Sequence, residues 1–483
     1  MRMNTIVQRS PGLNWLTEDQ CEDLHFAAMD ILERIGSLVN EEESRKLLKN
    51  AGAIVEDNKV FVPSTMVEKA LATIPRHFTM YNREGEPAMY LEPGRVYFGT
   101  GSDTQYTLDV YTGERRLSVK EDVGNIAKIT DALKDLDFVM SMALPSDCSK
   151  KLFHNHQVEQ MILNSTKPFI YTGDDRQDVA DALKMCELAV GGEKRLMERP
   201  FSIHYAQPSS PLKHPEESLQ RLLLCAEKRA PVLYASALML GASGPVTMAG
   251  SLAISIAESL LGIVIHQLKQ PGAPLVFGVA TPALDMQTSL CTYGSPEEHM
   301  GGCMSAALAR YYKVPTFSVA GATDACTVDP QAGMESAYTI LMHALSGSNL
   351  IHDFGYMAAG TTSSPELVIL GSEMVKIVKY MMKGLEINTK TLALDVIEKV
   401  GPGGDFLMED HTIDNFRTSL CYTETLNRYD YLRWEKEGKK DFNQRAREKA
   451  IDILEHYKVP DLPAGIVKKI KEVPLERERN SGE

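Results

Sequence analysis

No pair among the eight cysteines, at positions 21, 148, 186, 225, 291, 303, 326 and 421, has C-x-x-C spacing. Neither a zinc ribbon nor a redox dithiol is therefore written in the chain. Scattered cysteines among apolar neighbours read as reduced, buried small hydrophobes of a cytoplasmic protein. Basic charge is in short supply: 51 Lys plus Arg stand against 65 Asp plus Glu, a net charge of −14. That balance excludes the basic patches that nucleic acid and anionic membrane surfaces require. No unbroken apolar run of about 18 residues suggests a membrane span. The opening MRMNTIVQRSPGLNWLTEDQ lacks both the apolar stretch and the small-residue cleavage site of a secretory signal. Nucleotide loops are missing as well. Gly241–Thr247 fits neither G-x-x-x-x-G-K-[ST] nor G-x-G-x-x-G, although a glycine-rich helix start of this kind can cradle an anion. There is no G-x-S-x-G elbow and no H-E-x-x-H pair. His154 and His156 flank Asn155, and Glu297-Glu298-His299 cluster at a helix start, but neither has i,i+4 ligand spacing, so no metal is expected.

What is present is a globular composition, 43% hydrophobic and 24% charged over 483 residues, enough for about three domains or for one barrel with terminal extensions. Thr17 with Gln20 three residues on reads as a capping box, followed by Leu24, Ala27, Ala28, Ile31, Leu32 and Ile35 at helical spacing up to Gly36. A second helix is expected near Glu41–Asn50, a short strand at Val60–Pro63 and a helix from Ser64, with irregular structure after it. From residue 95 a phrase repeats. β-rich runs occur at Arg95–Phe98, Asp137–Ala143, Pro168–Tyr171, Pro200–Tyr205, Pro231–Ser236, Pro274–Val279, Pro315–Val319 and Asn349–Phe354. Helical periodicity fills the gaps at Val119–Leu136, Phe153–Asn164, Asp178–Val190, Glu216–Lys228, Met248–Leu268, Glu297–Tyr312 and Met334–Leu345, and continues at Pro365–Met382 and Leu392–Val400.

Eight apolar strands, each followed by a helix, predict an α/β protein with a (β/α)8 TIM barrel. An open doubly wound sheet is the alternative. The expected division is a helical N-terminal cap over 1–94, the barrel over 95–385 and a C-terminal helical extension over 386–483. Asp441–His456 reads as a charged amphipathic helix, and residues 430–483 as an arm over the barrel or a neighbouring subunit. The final ERERNSGE reads as disordered.

Active sites of such barrels lie at the C-terminal strand ends. That rule selects Tyr97, Phe98 and Asp103; Thr172, Asp174 and Asp175; His204, Tyr205 and Gln207; Thr281 and Asp285; Thr323 and Asp324; and His352, Asp353, Phe354 and Tyr356. Aromatic residues recur in or beside these strands, including Phe277 and Phe317, and the last four strands contain no Lys or Arg. A ring of aromatics with few cations can hold a quaternary ammonium. The same rings can equally fill barrel layers. His352 and Asp353, adjacent in a strand, are expected on opposite faces.

Phrases along nearly the whole chain resemble the trimethylamine methyltransferase family. They include His25, Gly36, Gly52, Pro63, Pro75 and Tyr81-Asn82-Arg83; Gly244-Pro245-Val246-Thr247-Met248-Ala249-Gly250; and Gly321-Ala322-Thr323-Asp324-Ala325-Cys326. Asp329-Pro330-Gln331-Ala332-Gly333-Met334-Glu335, Asn349-Leu350-Ile351-His352-Asp353 and Gly401-Pro402-Gly403-Gly404-Asp405-Phe406-Leu407 with His411-Thr412 continue the series. The resemblance implies a (β/α)8 barrel that moves a methyl group from an amine to the cobalt of a separate corrinoid protein. The trimethylamine enzymes of the family carry pyrrolysine, whereas this chain has only the twenty standard residues, including the stretch Ala320–Cys326. That matches the branch acting on quaternary amines such as glycine betaine, proline betaine and carnitine.

A quaternary ammonium already contains its neutral tertiary-amine leaving group, so attack by cob(I)alamin needs no general acid. The enzyme has only to aim the methyl group and exclude water. On this reading Tyr97, Tyr205, Phe354 and Tyr356 are candidates for an aromatic cage, and His204 or His352 for a betaine carboxylate. Asp324, Gln331 and Glu335 either shape the pocket or brace a helix start. No tightly bound cofactor is expected, the methyl acceptor being cob(I)alamin on a partner corrinoid protein, and a homo-oligomer is expected. A metal-dependent barrel lyase or hydrolase and a non-catalytic betaine-binding protein are the competing functions.

Overall fold

Prolines open the strands because a strand's first residue needs only its carbonyl. The carbonyls of Pro168, Pro231, Pro274 and Pro315 accept from the N–H groups of Val139, His204, Val232 and Phe277 on neighbouring strands. The computed structural model, which describes residues 9–481, arranges these strands in one parallel sheet. They are β1 (Tyr97–Thr100), β3 (Phe169–Tyr171), β4 (Ser202–Ala206), β5 (Val232–Ala237), β6 (Leu275–Ala280), β7 (Thr316–Val319) and β8 (Leu350–Phe354), in the order β1-β8-β7-β6-β5-β4-β3. The remaining gap is filled by β2, residues 138–139, through parallel bridges Gly99–Phe138 and Val139–Phe169. The sheet therefore closes into an eight-stranded barrel, and the open-sheet alternative falls.

β2 is shorter than its apolar run because a side chain takes over the ladder. The Thr100 hydroxyl donates to the Met140 carbonyl at 3.0 Å and accepts from its N–H at 2.8 Å. The outer helices are α1 (Lys120–Ala132), α2 (Phe153–Asn164), α3 (Arg176–Val190), α4 (Glu216–Lys228), α5 (Met248–Lys269), α6 (Pro296–Tyr312), α7 (Pro330–Ser346) and α8 (Pro365–Met382).

The N-terminal part begins as its capping box requires. Thr17 accepts from Gln20 N–H at 3.2 Å, Gln20 returns the bond at 3.0 Å, and the helix Glu18–Asp30 runs through a π-turn to Gly36 at φ 76°. The helices Glu18–Asp30, Glu42–Ala51 and Ser64–Thr73 cover α5. Helix α5 is long and apolar enough to cross a membrane, but 78% of its most apolar window is buried in this fold. It is a core helix. The region read as irregular after residue 73 is a hairpin, Phe78–Tyr81 with Pro87–Leu91. Its Met80, Met89 and Leu91 join Tyr97, Phe138, Ile203, Leu233, Phe317 and Leu350 in the barrel interior.

The C-terminal segment corrects another expectation. The last helix, Ala464–Ser481, takes in all of ERERNSGE except Gly482 and Glu483, which lie outside the described residues, as do residues 1–8 of the opening segment. Arg477 explains the order: its guanidinium meets Asp178 at 2.5 Å and Asp175 at 2.9 Å at the start of α3. All eight cysteines are free.

Candidate active site

Alternation along a strand decides which rings face the barrel interior. In β4, Ile203 and Tyr205 point inward, while His204 points outward between the sheet and its helices. In β7, Phe317 points inward and its ring meets Tyr205 at 5.5 Å. In β8, Leu350 and His352 point inward and Ile351 outward, with the His352 ring stacked on Phe317 at 3.9 Å. The alternation then breaks. Asp353 adopts φ 83°, and the β8–β1 register shifts between Ile351 and Phe354. Left-handed backbone is costly for a residue with a Cβ and concentrates at functional sites. Here it turns Asp353 beside His352, with Nε2 and Oδ1 3.1 Å apart, and throws Phe354 outward onto Phe98. The expectation that His352 and Asp353 face opposite ways is thus overturned.

Gly101 makes room for this turn. A Cβ there would lie 2.4 Å from Asp353 Oδ1 and 2.8 Å from the Tyr356 ring. Tyr356 in turn meets Tyr293 edge to face at 6.1 Å. Tyr205, Phe317, Tyr293 and Tyr356 thus gather around His352 and Asp353 at the C-terminal mouth. Two clefts, of 610 and 510 Å³, lie off this mouth.

The charges around these rings are all acidic. Tyr205 is influenced by Asp353, Glu298 and Asp103, Tyr293 by Asp353 and Glu298, and Tyr356 by Asp353 and Asp103. Burial raises Asp353 well above the carboxylate range, with Glu298 adding to the effect, and burial pushes Glu298 up to about 8. Glu298 Oε2 is buried without a hydrogen-bond partner. Burial pushes His352 down to about 3. Its Nδ1–H donates to the Ser318 carbonyl at 2.9 Å, which leaves Nε2 to accept from a protonated Asp353. The pair is neutral, so His352 offers no positive charge to a carboxylate.

The loop carrying Tyr293 is held from two sides. Asp324 accepts from the N–H groups of Tyr293 at 2.9 Å and Gly294 at 2.8 Å. Glu335 holds the turn before it, accepting from Thr323 Oγ1 at 2.5 Å, Asp324 N–H at 2.9 Å and Gln331 Nε2 at 2.9 Å. Asp329 caps α7 by accepting from the N–H groups of Gln331 and Ala332. Behind the loop, His299 Nε2–H donates to the Tyr293 carbonyl at 2.8 Å, His299 Nδ1 meets His343 Nε2 at 3.2 Å, and His343 Nδ1 meets Ser318 Oγ at 2.9 Å. Burial lowers both imidazoles, His299 to about 4, so the relay is uncharged.

The candidate residues therefore divide. Tyr205, His352 and Tyr356 come together at the mouth. Asp324 and Gln331 belong to the frame behind Tyr293. Tyr97 does not reach the mouth: it starts β1 at the opposite end, where its hydroxyl accepts from Tyr90 N–H at 2.8 Å. His204 faces outward against Tyr171 at 5.0 Å, with neither ring nitrogen hydrogen-bonded, and Phe354 is a contact between sheet and helices. Asp103 and Asp353 stand among the strand-end residues and Phe317 among the recurring aromatics, without a role in the cage, whereas Glu298 enters only in a cluster weighed for metal binding and Tyr293 does not enter at all. Strand alternation carried the signal for Phe317; for Tyr293, in an irregular loop, the sequence carried none.

The whole chain, residues 1–482, matches the model of the family described as Trimethylamine methyltransferase (MTTB). A glycine betaine methyltransferase of Desulfitobacterium hafniense (strain Y51) is 34% identical over 481 residues, covering 99% of each chain. A trimethylamine methyltransferase MttB of D. hafniense (strain DSM 10664 / DCB-2) is 31% identical over 98% of this chain and 95% of its own. Among solved structures, the monomethylamine methyltransferase (MtmB) of Methanosarcina barkeri is similar over 97% of this chain and 96% of its own, with 10% identity and a TM-score of 0.46. With the family model matched over residues 1–482 and relatives 34% and 31% identical over nearly their full length, the chain belongs to the trimethylamine methyltransferase family.

Proposed function

We propose that this methyltransferase takes a methyl group from a quaternary amine, with glycine betaine as the first substrate, and delivers it to Co(I) of a separate corrinoid protein without pyrrolysine. The observation that carries the reading is the mouth itself: four aromatic rings with Asp353, Glu298 and Asp103 around them and no Lys or Arg among the charges that influence the tyrosines. Aromatic faces attract a cation that cannot donate hydrogen bonds, and carboxyl groups that ionise beside the bound cation strengthen that attraction. The relative named for glycine betaine supports the substrate class.

When a corrinoid protein docks over the mouth, its Co(I) supplies the nucleophile. Tyr205, Phe317, Tyr293 and Tyr356 hold the ammonium, and the Asp324 and His299 frame fixes the Tyr293 wall. The buried surroundings exclude water. Positive charge on nitrogen falls as the N–CH3 bond breaks, so the cage favours the ground state and contributes selectivity more than rate. Rate comes from aiming the methyl group. Proline betaine and carnitine are the next substrates on the same logic. The reading also takes the protein to be cytoplasmic and to self-associate through residues 385–432, whose exposed apolar side chains follow the C-terminal end of α8, where Lys379 reaches Asp137 just before β2. The corrinoid protein must reach the mouth, so a second copy is the occupant that fits this face.

An anaerobic assay with reduced cobalamin, glycine betaine, proline betaine, carnitine, choline and trimethylamine tests the proposal. Methylcobalamin from a quaternary amine and none from trimethylamine is the expected result. Turnover of trimethylamine alone would overturn it.

A further inference from the structure

Tyr205 connects the mouth to a second place. Its hydroxyl donates to Gln207 Oε1 at 3.1 Å, and Gln207 lines the 510 Å³ cleft formed by the loops after β3, β4 and β5. Arg221, on α4, forms one wall of that cleft. Its Nε donates to the Glu217 carbonyl at 3.2 Å and its Nη1 to the Gly173 carbonyl. Among the described residues no carboxylate pairs with it, whereas Arg116, Arg176, Arg447 and Arg477 each meet one. Burial lowers its pKa, and Asp174 and Asp178 offset that only at longer range, without an ion pair, so a bound anion would offset it further.

Other donors converge on the same space. Gln207 and Ser209 line the cleft, and with Gln207 Oε1 taken by Tyr205 the Gln207 side-chain N–H2 group is the one left to donate. Ser243 comes from the glycine-rich segment Gly241–Thr247. It accepts from Met239 N–H at 2.8 Å, which leaves its own O–H free to donate. The hydroxyls of Ser210 and Ser218 are already committed, to Glu258 at 2.7 Å and to the Gln207 carbonyl at 2.6 Å. Two acidic residues also border the cleft, Asp174 and Glu217. Asp174 faces His154, whose Nε2 stands 3.4 Å from Oδ1, and also lies within electrostatic reach of Arg221 and Arg477.

Resting on the quaternary-amine reading above, we propose that this cleft is a carboxylate subsite. Arg221 supplies the charge, with Gln207, Ser209 and Ser243 as further donors, so that the enzyme selects zwitterionic quaternary amines over simple cations. His352, neutral at the mouth, does not compete for this role. The hydrogen bond from Tyr205 of the cage to Gln207 of the cleft joins the cation and anion sites.

Calorimetry with glycine betaine, 4-trimethylammoniobutyrate and the carboxylate-free cation choline tests the proposal. The wild-type protein should bind at least one zwitterion more tightly than choline. Arg221→Met should weaken that zwitterion about 30-fold and leave choline within about twofold, as expected for losing one partner of a desolvated charge pair. Arg221→Lys should recover part of the loss. Gln207→Leu, which leaves the guanidinium in place, should weaken the zwitterion by a smaller factor if the methionine variant does not fold. Equal losses for zwitterion and choline in these variants, or no loss in either, would overturn the subsite. Choline binding as tightly as every zwitterion would overturn the subsite and leave the quaternary-amine reading standing. If wild type binds none of the three, that reading has failed and sodium acetate decides the cleft. Acetate binding that Arg221→Met weakens supports the subsite, and acetate binding that is absent or unchanged overturns it.

Discussion

Helix α5 buries sixteen of its 22 residues, whereas the four short helices that follow α8, from Thr389 to Lys436, have no buried residue at all. The two regions do not differ in appetite for burial. Leu385, Leu407 and Met408 are 80%, 71% and 82% exposed, and Leu394, Tyr431 and Leu432 are close behind. Such a density of exposed large apolar groups marks an interaction surface. A few bonds tether the segment to the barrel: Tyr380 Oη to the Ser419 carbonyl, and Glu373 to the N–H groups of Glu424 and Thr425. The barrel mouth, by contrast, is framed by hydrogen bonds within its own chain, from Asp324, Glu335 and His299. The comparison separates a region that buries its apolar side chains within the chain from one that leaves them exposed, which is the ground for the self-association proposed above.

Gly101→Ala should have the largest effect on the mouth side of that comparison. The added methyl meets Asp353 and Tyr356 together, and displacing reacting groups by about an ångström costs about 100-fold in kcat/KM. Parallel melting curves and sedimentation should show that the fold and the self-association survive. Full activity would mean that Asp353 and Tyr356 do not shape the site.

Acidity gives the next effect. Asp353 and Glu298 hold their protons in the free protein, Glu298 up to about pH 8. A bound cation favours their ionised forms, so binding releases protons. Affinity for a quaternary amine should therefore rise as pH rises, by up to about tenfold per unit for each proton released, and level off above the pKa of the free site. Calorimetry in two buffers of different ionisation heat would count the protons. An affinity flat from pH 6 to 9 would remove both carboxyls from the cation site.

The fold was legible in the sequence because proline-led apolar runs and helical periods repeat. The site was legible only where that regularity continues. Alternation alone separates inward Tyr205 from outward His204. It fails at β8, because nothing in Leu-Ile-His-Asp-Phe announces that Asp353 adopts a left-handed backbone, and that one torsion exchanges the roles of Asp353 and Phe354. Tyr97 fails for another reason: it lies in a strand but at the wrong end, and only the unread hairpin with Tyr90 shows which end is plugged. Several family phrases prove to be frame. Arg83 ties the Ile162 carbonyl at 2.6 Å, and Asn349 accepts from Thr316 N–H while donating to the carbonyls of Glu92 and Arg95.

On the other side of the comparison, replacing Leu407 and Met408 together by glutamate should weaken self-association by about tenfold or more, in line with losing central apolar anchors. Methyl transfer by the dissociated chain should persist. Unchanged sedimentation would show that the arm faces something other than a second copy. Asp324→Asn should have the smallest effect and the most specific. The asparagine keeps one acceptor for the N–H groups of Tyr293 and Gly294 but turns an N–H2 toward the other, at a cost of about 1 kcal/mol, or about fivefold. On the proposed reading Tyr293 holds the substrate cation and touches no breaking bond, so the loss should fall on KM and leave kcat unchanged, the signature of uniform binding. A drop in kcat at constant KM would instead make the Tyr293 loop part of how the methyl group is aimed, and the division between a cage that selects and a barrel that positions would have to be redrawn.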